Sequence, residues 1–98
     1  MDEYQRHHYP RFQVGRVVAT PGALGVMEAA GQNPAELLHR HQTGDFGTVD
    51  KDDWQANEQA IIHGERILSA YVLGTGEKVW IITEADRSST CLLLPDEY

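Results

Sequence analysis

Residues 66–95 read RILSAYVLGTGEKVWIITEADRSSTCLLLP, and this stretch decides the fold. Three apolar runs of strand length are separated by two polar breaks. In the first run Ile67, Ser69, Tyr71 and Leu73 alternate with Leu68, Ala70 and Val72, the period of two that belongs to a strand. The first break, GTGE at 74–77, is a Gly-rich hairpin turn. KVWIITE and TCLLLP complete a three-stranded antiparallel meander. In VWII and CLLL both alternating faces are apolar, unlike a sheet with one wet side. Helices can cover one face. The other is expected to be covered by the N-terminal arm or by a second copy of the chain, and a homodimer is the favoured reading.

Upstream of Arg66 the pattern is helical. Thr20-Pro21 places a capping hydroxyl before a proline at the first helical position, and the helix it opens stops at Gly31. Asn33-Pro34 opens a second helix, with Glu36 in its first turn, that ends by Gly44. Asp50, followed by Asp52 and Asp53, opens the third and longest, which ends near Gly64. Ahead of them Val14–Ala19 is rich in β-branched residues and reads as one short strand. The fold class is therefore α+β: an N-terminal strand, three helices, then the meander. Residues 1–12 read as a flexible arm and 13–98 as a single domain.

Ninety-eight residues, 41% of them hydrophobic, suffice for one core without staples. The single cysteine, Cys91, allows no internal disulfide and reads as a buried structural thiol. No apolar run nears the roughly 20 residues of a membrane span, and the N-terminus lacks the pattern of a secretion signal. A cytoplasmic bacterial protein is expected. Residues 1–40 are balanced in charge. Residues 41–98 hold four basic and eleven acidic residues, so the whole net charge of −7 lies there. Such a field disfavours direct nucleic-acid binding, which needs cations against phosphate, and favours a basic protein partner.

The second break, EADRSS at 84–89, is more polar than a turn requires. Glu84, Asp86 and Arg87 can supply a carboxylate pair and an anion-binding guanidinium. A serine nucleophile needs a positioned base, and no G-x-S-x-G surrounds Ser88 or Ser89, so no catalytic residue is assigned. The expectation is an ordered connection with Arg87 paired to a carboxylate: Glu84, Asp86 or an acid of the 45–53 segment. Asn57 lies about 60° from the Trp54/Ile61 stripe of the third helix and needs partners there. It either ties down a loop by backbone hydrogen bonds or joins a polar cluster with the EADRS loop. The candidate binding set is Glu84, Asp86, Arg87, Asn57, Asp45, Asp52 and Asp53.

No metal or cofactor is expected. Asp45, Asp50, Asp52 and Asp53 lack the spacing and the closing glutamate of a calcium loop. Asp45-Phe46-Gly47 has no kinase Gly-rich loop to accompany it. His39 and His41 lie about 200° apart on a helix and cannot share one ion.

Taken together, GRVVATPGAL, ELLHRHQTGDFG, RILSAYVL, VWIITEADRSST and LLLPDEY resemble a family of small bacterial proteins carried on plasmids and integrative elements, the plasmid-related proteins. The likeness covers about residues 13–98. The family usually has Trp where this chain has Phe46. Mobile elements carry small acidic proteins that block host defence by occupying nucleic-acid sites. That context together with the net charge of −7 leads to the expectation of a non-catalytic binder of a restriction or CRISPR component. The alternatives are an accessory protein without such a target, and a small enzyme built on Glu84, Asp86 and Arg87.

Overall fold

The computed structural model describes residues 9–98. Its elements in chain order are β1 (Arg16–Ala19), α1 (Pro21–Ala30), α2 (Pro34–Gln42), α3 (Lys51–His63), β2 (Ile67–Val72), β3 (Lys78–Thr83) and β4 (Ser89–Leu93), followed by a 3-10 turn, Pro95–Glu97. Each helix starts at the residue whose side chain can satisfy its orphan N–H groups. Thr20 Oγ accepts from the Ala23 N–H at 3.0 Å, Asn33 Oδ1 from Ala35 at 2.9 Å and Asp50 Oδ1 from Asp53 at 2.8 Å. Gly31 and Gly64, both left-handed, end α1 and α3.

The sheet order is β1-β4-β3-β2. The expected meander is present, since β2 pairs antiparallel with β3 and β3 with β4. The N-terminal strand corrects the rest of the expectation. It is no separate element but joins β4 in parallel, Arg16 beside Ser89 and Ala19 beside Leu92, so the sheet is four-stranded and mixed. β1 is also shorter than its apolar run. Gly15 has φ of 61°, and a Cβ there would strike the Arg87 and Ser88 carbonyls, so the chain bends just before the strand.

The helices cover one face of the sheet. Ala23 and Met27 of α1 and Leu37 of α2 pack on Tyr71, Val79, Ile81 and Leu92. Ala60 of α3 packs with Ile67 and Phe46, and Phe12, Trp54 and Ile61 close this second cluster. Phe12 is thus part of the core, and Arg11 holds Glu58 in a two-pronged ion pair at 2.7 and 2.8 Å. The packed domain takes in both of these residues, ahead of the boundary at 13 read from the sequence. The rest of the arm reading, residues 1–8, lies outside the described residues.

The opposite face carries Val18, Leu68, Ala70, Val72, Trp80, Ile82, Cys91 and Leu93 and, among the described residues, no α-helix. Tyr98 lies on part of it. Its ring meets the Trp80 ring at 5.7 Å, and its hydroxyl takes a 2.6 Å hydrogen bond from Arg66. On this face Ile82 and Leu93 are buried at 4% and 7% exposure, while Val18 and Val72 are 42% and 49% exposed. Cys91 sits on this face half-buried, not in the core; burial, then the nearby Glu97 and Glu84, pushes its thiol pKa up. Among the described residues, no helix is long and apolar enough to cross a membrane.

The β2 edge is closed by side chain and loop. Asn57 donates to the Leu68 carbonyl at 2.7 Å and accepts from the Leu68 N–H at 3.1 Å, as a neighbouring strand would. Two residues on, Ala70 N–H donates to the Phe46 carbonyl and its own carbonyl accepts from Thr48 N–H. Gly47 allows that approach, because a Cβ there would occupy the place of the Ala70 carbonyl oxygen. Asn57→Ala leaves both polar groups of Leu68 without protein partners. It should lower the unfolding free energy by about 1–3 kcal/mol in urea titration. An unchanged midpoint would show that water replaces the amide without cost.

Candidate functional site

The EADRSS connection is an ordered turn whose polar groups are mostly engaged locally. Glu84 N–H donates to the Ser89 carbonyl and Arg87 N–H to the Glu84 carbonyl. Ser88 N–H donates to Asp86 Oδ1 at 2.9 Å. The Ser88 hydroxyl and then its N–H hold the exposed Asp86 carboxyl below its ordinary range. Arg87 has φ of 62°, the left-handed region that a non-glycine residue occupies only when its surroundings hold it there.

What holds Arg87 is its own guanidinium, and not through a carboxylate. Nη1 donates to the carbonyls of Glu65 at 2.6 Å, Glu84 at 3.1 Å and Ala85 at 3.3 Å. Nη2 donates to the Ala60 carbonyl at 2.8 Å. The expected pairing with Glu84, Asp86 or an acid of the 45–53 segment is replaced by a cation on the C-terminal end of α3. The reason is physical: the Ala60 carbonyl already accepts from the Gly64 and Glu65 N–H groups, but the last turn carries the negative end of the dipole and draws a cation to it, beside the Glu65, Glu84 and Ala85 carbonyls outside the helix. A planar fork with several donors answers several of these at once. Glu84 meets Arg66 instead, at 3.4 Å.

The other candidates are dispersed. Asn57 sits in the middle of α3 on the β2 backbone, with no contact to the loop among its hydrogen bonds. Asp45 pairs with Arg40 at 2.7 Å and accepts from the Gly47 N–H, and Arg40 lies over the Tyr71 ring. Asp52 and Asp53 are exposed in the first turn of α3, three turns of helix from Arg87. The seven residues therefore form no single site. They mark the two ends of α3, its inner side, and the turn at 45–47.

One constellation escaped the sequence reading. His41 is fully buried, with Nδ1 at 2.6 Å from Ser69 Oγ and Nε2 at 2.8 Å from Thr83 Oγ1. Thr83 Oγ1 lies 2.7 Å from Thr90 Oγ1, which donates to the Val14 carbonyl at 2.8 Å. Each hydroxyl has one hydrogen, and that condition fixes every direction. Thr90 gives its hydrogen to Val14, so Thr83 donates to Thr90 and accepts from His41. Nε2 therefore carries the proton, Nδ1 is the acceptor, and Ser69 donates to it. The signal in the sequence was a hydroxyl at the inward position of each meander strand: Ser69, Thr83 and Thr90.

Burial first, and the charge of Arg87 second, push the His41 pKa down to about 3. The Phe12 ring meets His41 edge-on at 5.1 Å and lies 5.7 Å from the Arg87 guanidinium, so arm, loop and core histidine are stacked. A serine beside a histidine suggests acyl-transfer chemistry. Here, however, Ser69, Thr83 and Thr90 are all at 0% exposure and no substrate can reach them. Among the described residues, no group of three or more His, Cys, Asp or Glu side chains is placed to hold a metal ion. An open groove between Gly76–Lys78 and Leu94–Asp96 contains none of the candidate residues.

Comparison with known proteins gives no match: no family model fits the chain, and no curated protein or solved structure is significantly similar to it.

Two outcomes are expected. Arg87→Ala should lower the unfolding free energy by about 1–3 kcal/mol, since it strips charged donors from the part-buried Glu84 and Ala60 carbonyls and from the exposed carbonyls of Glu65 and Ala85. A melting temperature equal to the parent's would mean that water caps α3 equally well. The second concerns pH. The unfolded chain protonates His41 near its ordinary 6.5, and the folded chain only near 3. Between those values the unfolded state binds more protons, so stability rises with pH across the window and falls on acidification. The loss should reach about 2 kcal/mol between pH 7.5 and pH 5, at roughly 1.4 kcal/mol per pH unit below 6.5. His41→Gln should be less stable at neutral pH and lack that slope. The same slope in His41→Gln would assign it to another group.

Proposed function

We propose that this is a non-catalytic protein of bacterial mobile elements, of the family its sequence resembles. In this reading it acts in the cytoplasm by binding a protein partner through an acidic surface. The partner is a host restriction or CRISPR component whose basic surface otherwise holds nucleic acid. The observation that carries the reading is the charge left over once the fold has engaged four of the seven cations of the described chain. Arg11, Arg40 and Arg66 are each paired to a carboxylate. Arg87 is committed to backbone carbonyls. Asp50, Asp52, Asp53, Glu65, Asp86 and Asp96 stay exposed, in a chain of net charge −7.

A residual field of that sign repels phosphate and steers a basic protein surface into contact. The first turn of α3 is its densest part, with Asp52 and Asp53 beside the capping Asp50. Glu84, Asp86 and Asp45 stand at its margins. The non-catalytic part of the reading is supported by the histidine and hydroxyl groups, which are locked into one another away from solvent.

The test is made in cells. In a bacterium with an active type I restriction system or CRISPR effector, expression of this chain should raise the recovery of unmodified phage. Asp52→Lys combined with Asp53→Lys should remove that gain at a stability cost of about 1–2 kcal/mol from the helix dipole. A protein that protects no phage in either background, or whose protection survives the charge reversal, would contradict the reading.

A further inference from the structure

We infer that β1 pairs antiparallel with β1 of a second copy, joining two four-stranded sheets into one of eight strands. The inference is independent of the acidic surface and rests on the contrast between the two edges of the sheet. The β2 edge is closed residue by residue, Leu68 by Asn57 and Ala70 by the 46–48 segment. The β1 edge has no such cover among the described residues.

The N–H groups of Arg16, at the start of β1, and of Thr20, just after it, go to the carbonyls of Ser88, just before β4, and of Leu92 within it. In a parallel ladder the same residues also offer their carbonyls to that neighbour, so Val17 and Ala19 turn their polar groups outward. Val17 and Val18, on opposite faces of the strand, are each 42% exposed. A strand with free backbone groups and apolar side chains on both sides is a template for another strand.

The occupant follows from register and charge. Gly15, with φ of 61°, and Pro21, at the start of α1, bound the regular strand on either side. The antiparallel register that uses only the residues between them places Val18 opposite the partner's Val18. Val17 then exchanges both hydrogen bonds with the partner's Ala19, and Ala19 with the partner's Val17. That register sets Arg16 opposite the partner's Thr20. In each copy the Thr20 hydroxyl holds the Glu97 carboxylate at 2.7 Å. The Arg16 guanidinium makes no ion pair among the described residues, and a second copy brings one carboxylate to it, a contact that the two-fold axis repeats so that the dimer holds two such pairs. An isologous pairing closes on itself, so it ends at two copies.

Facing residues in a non-hydrogen-bonded antiparallel pair have Cα atoms about 4.5 Å apart, within the reach of a disulfide. Val18→Cys in a Cys91→Ser background should therefore cross-link to a covalent dimer in a glutathione redox buffer. Val72→Cys in the same background, equally exposed at the far edge of the open face, should stay monomeric. Adding Val17→Pro removes an N–H that points away from β4. It should cut the Val18→Cys cross-link several-fold while the melting temperature holds, because edge strands tolerate proline on the solvent side. Arg16→Glu should weaken the cross-link as well. Absence of the Val18→Cys dimer, equal cross-linking through Val72→Cys, or a dimer indifferent to Val17→Pro would each overturn the inference.

Discussion

The hydrogen-bond chain from Ser69 through His41, Thr83 and Thr90 to the Val14 carbonyl is the constraint on which the other contacts depend. It links α2 to β2, β3 and β4, and ends on the segment that leads into β1. Apolar packing alone holds helices on a sheet but leaves their register loose. A chain of hydroxyls with one hydrogen each does not, since one displaced member leaves a buried polar group without a partner. His41 must be neutral and in one tautomer for the chain to close. Around it Phe12, Arg87 and the end of α3 stack in sequence, so the arm and the 84–89 loop take their positions from the same histidine.

Polar residues that look reactive on paper therefore serve the architecture. Arg87 closes a helix, Asn57 acts as the missing neighbour of an edge strand, and Asp45 ties a turn to Arg40. Four of the seven cations of the described chain, Arg11, Arg40, Arg66 and Arg87, are engaged in this work, while Asp50, Asp52, Asp53, Glu65, Asp86 and Asp96 stay exposed.

Much of this was legible in the sequence because it is local. Caps at Thr20, Asn33 and Asp50, stops at Gly31 and Gly64, and the period of two from Ile67 each rest on groups a few residues apart. The parallel pairing of β1 with β4 was not legible, because it joins residues more than seventy positions apart and no short motif records it. The role of Arg87 was hidden for the same reason. Its nearest acids in sequence are Glu84 and Asp86, and nothing in the chain announces that Ala60 and Glu65 offer carbonyls to it. The inward hydroxyls of Ser69, Thr83 and Thr90 were visible in the alternation. Their meaning depended on a histidine from another element.

The claim that the buried polar chain is architecture and not chemistry is tested most directly by the ring nitrogens of His41. Long-range nitrogen–proton NMR spectra, recorded from neutral pH down to about pH 5, distinguish the two neutral tautomers and the charged ring. A locked His41 keeps one set of signals throughout, with the proton on Nε2, while exposed histidines titrate. A His41 that titrates above pH 6, or that carries its proton on Nδ1, would contradict the account.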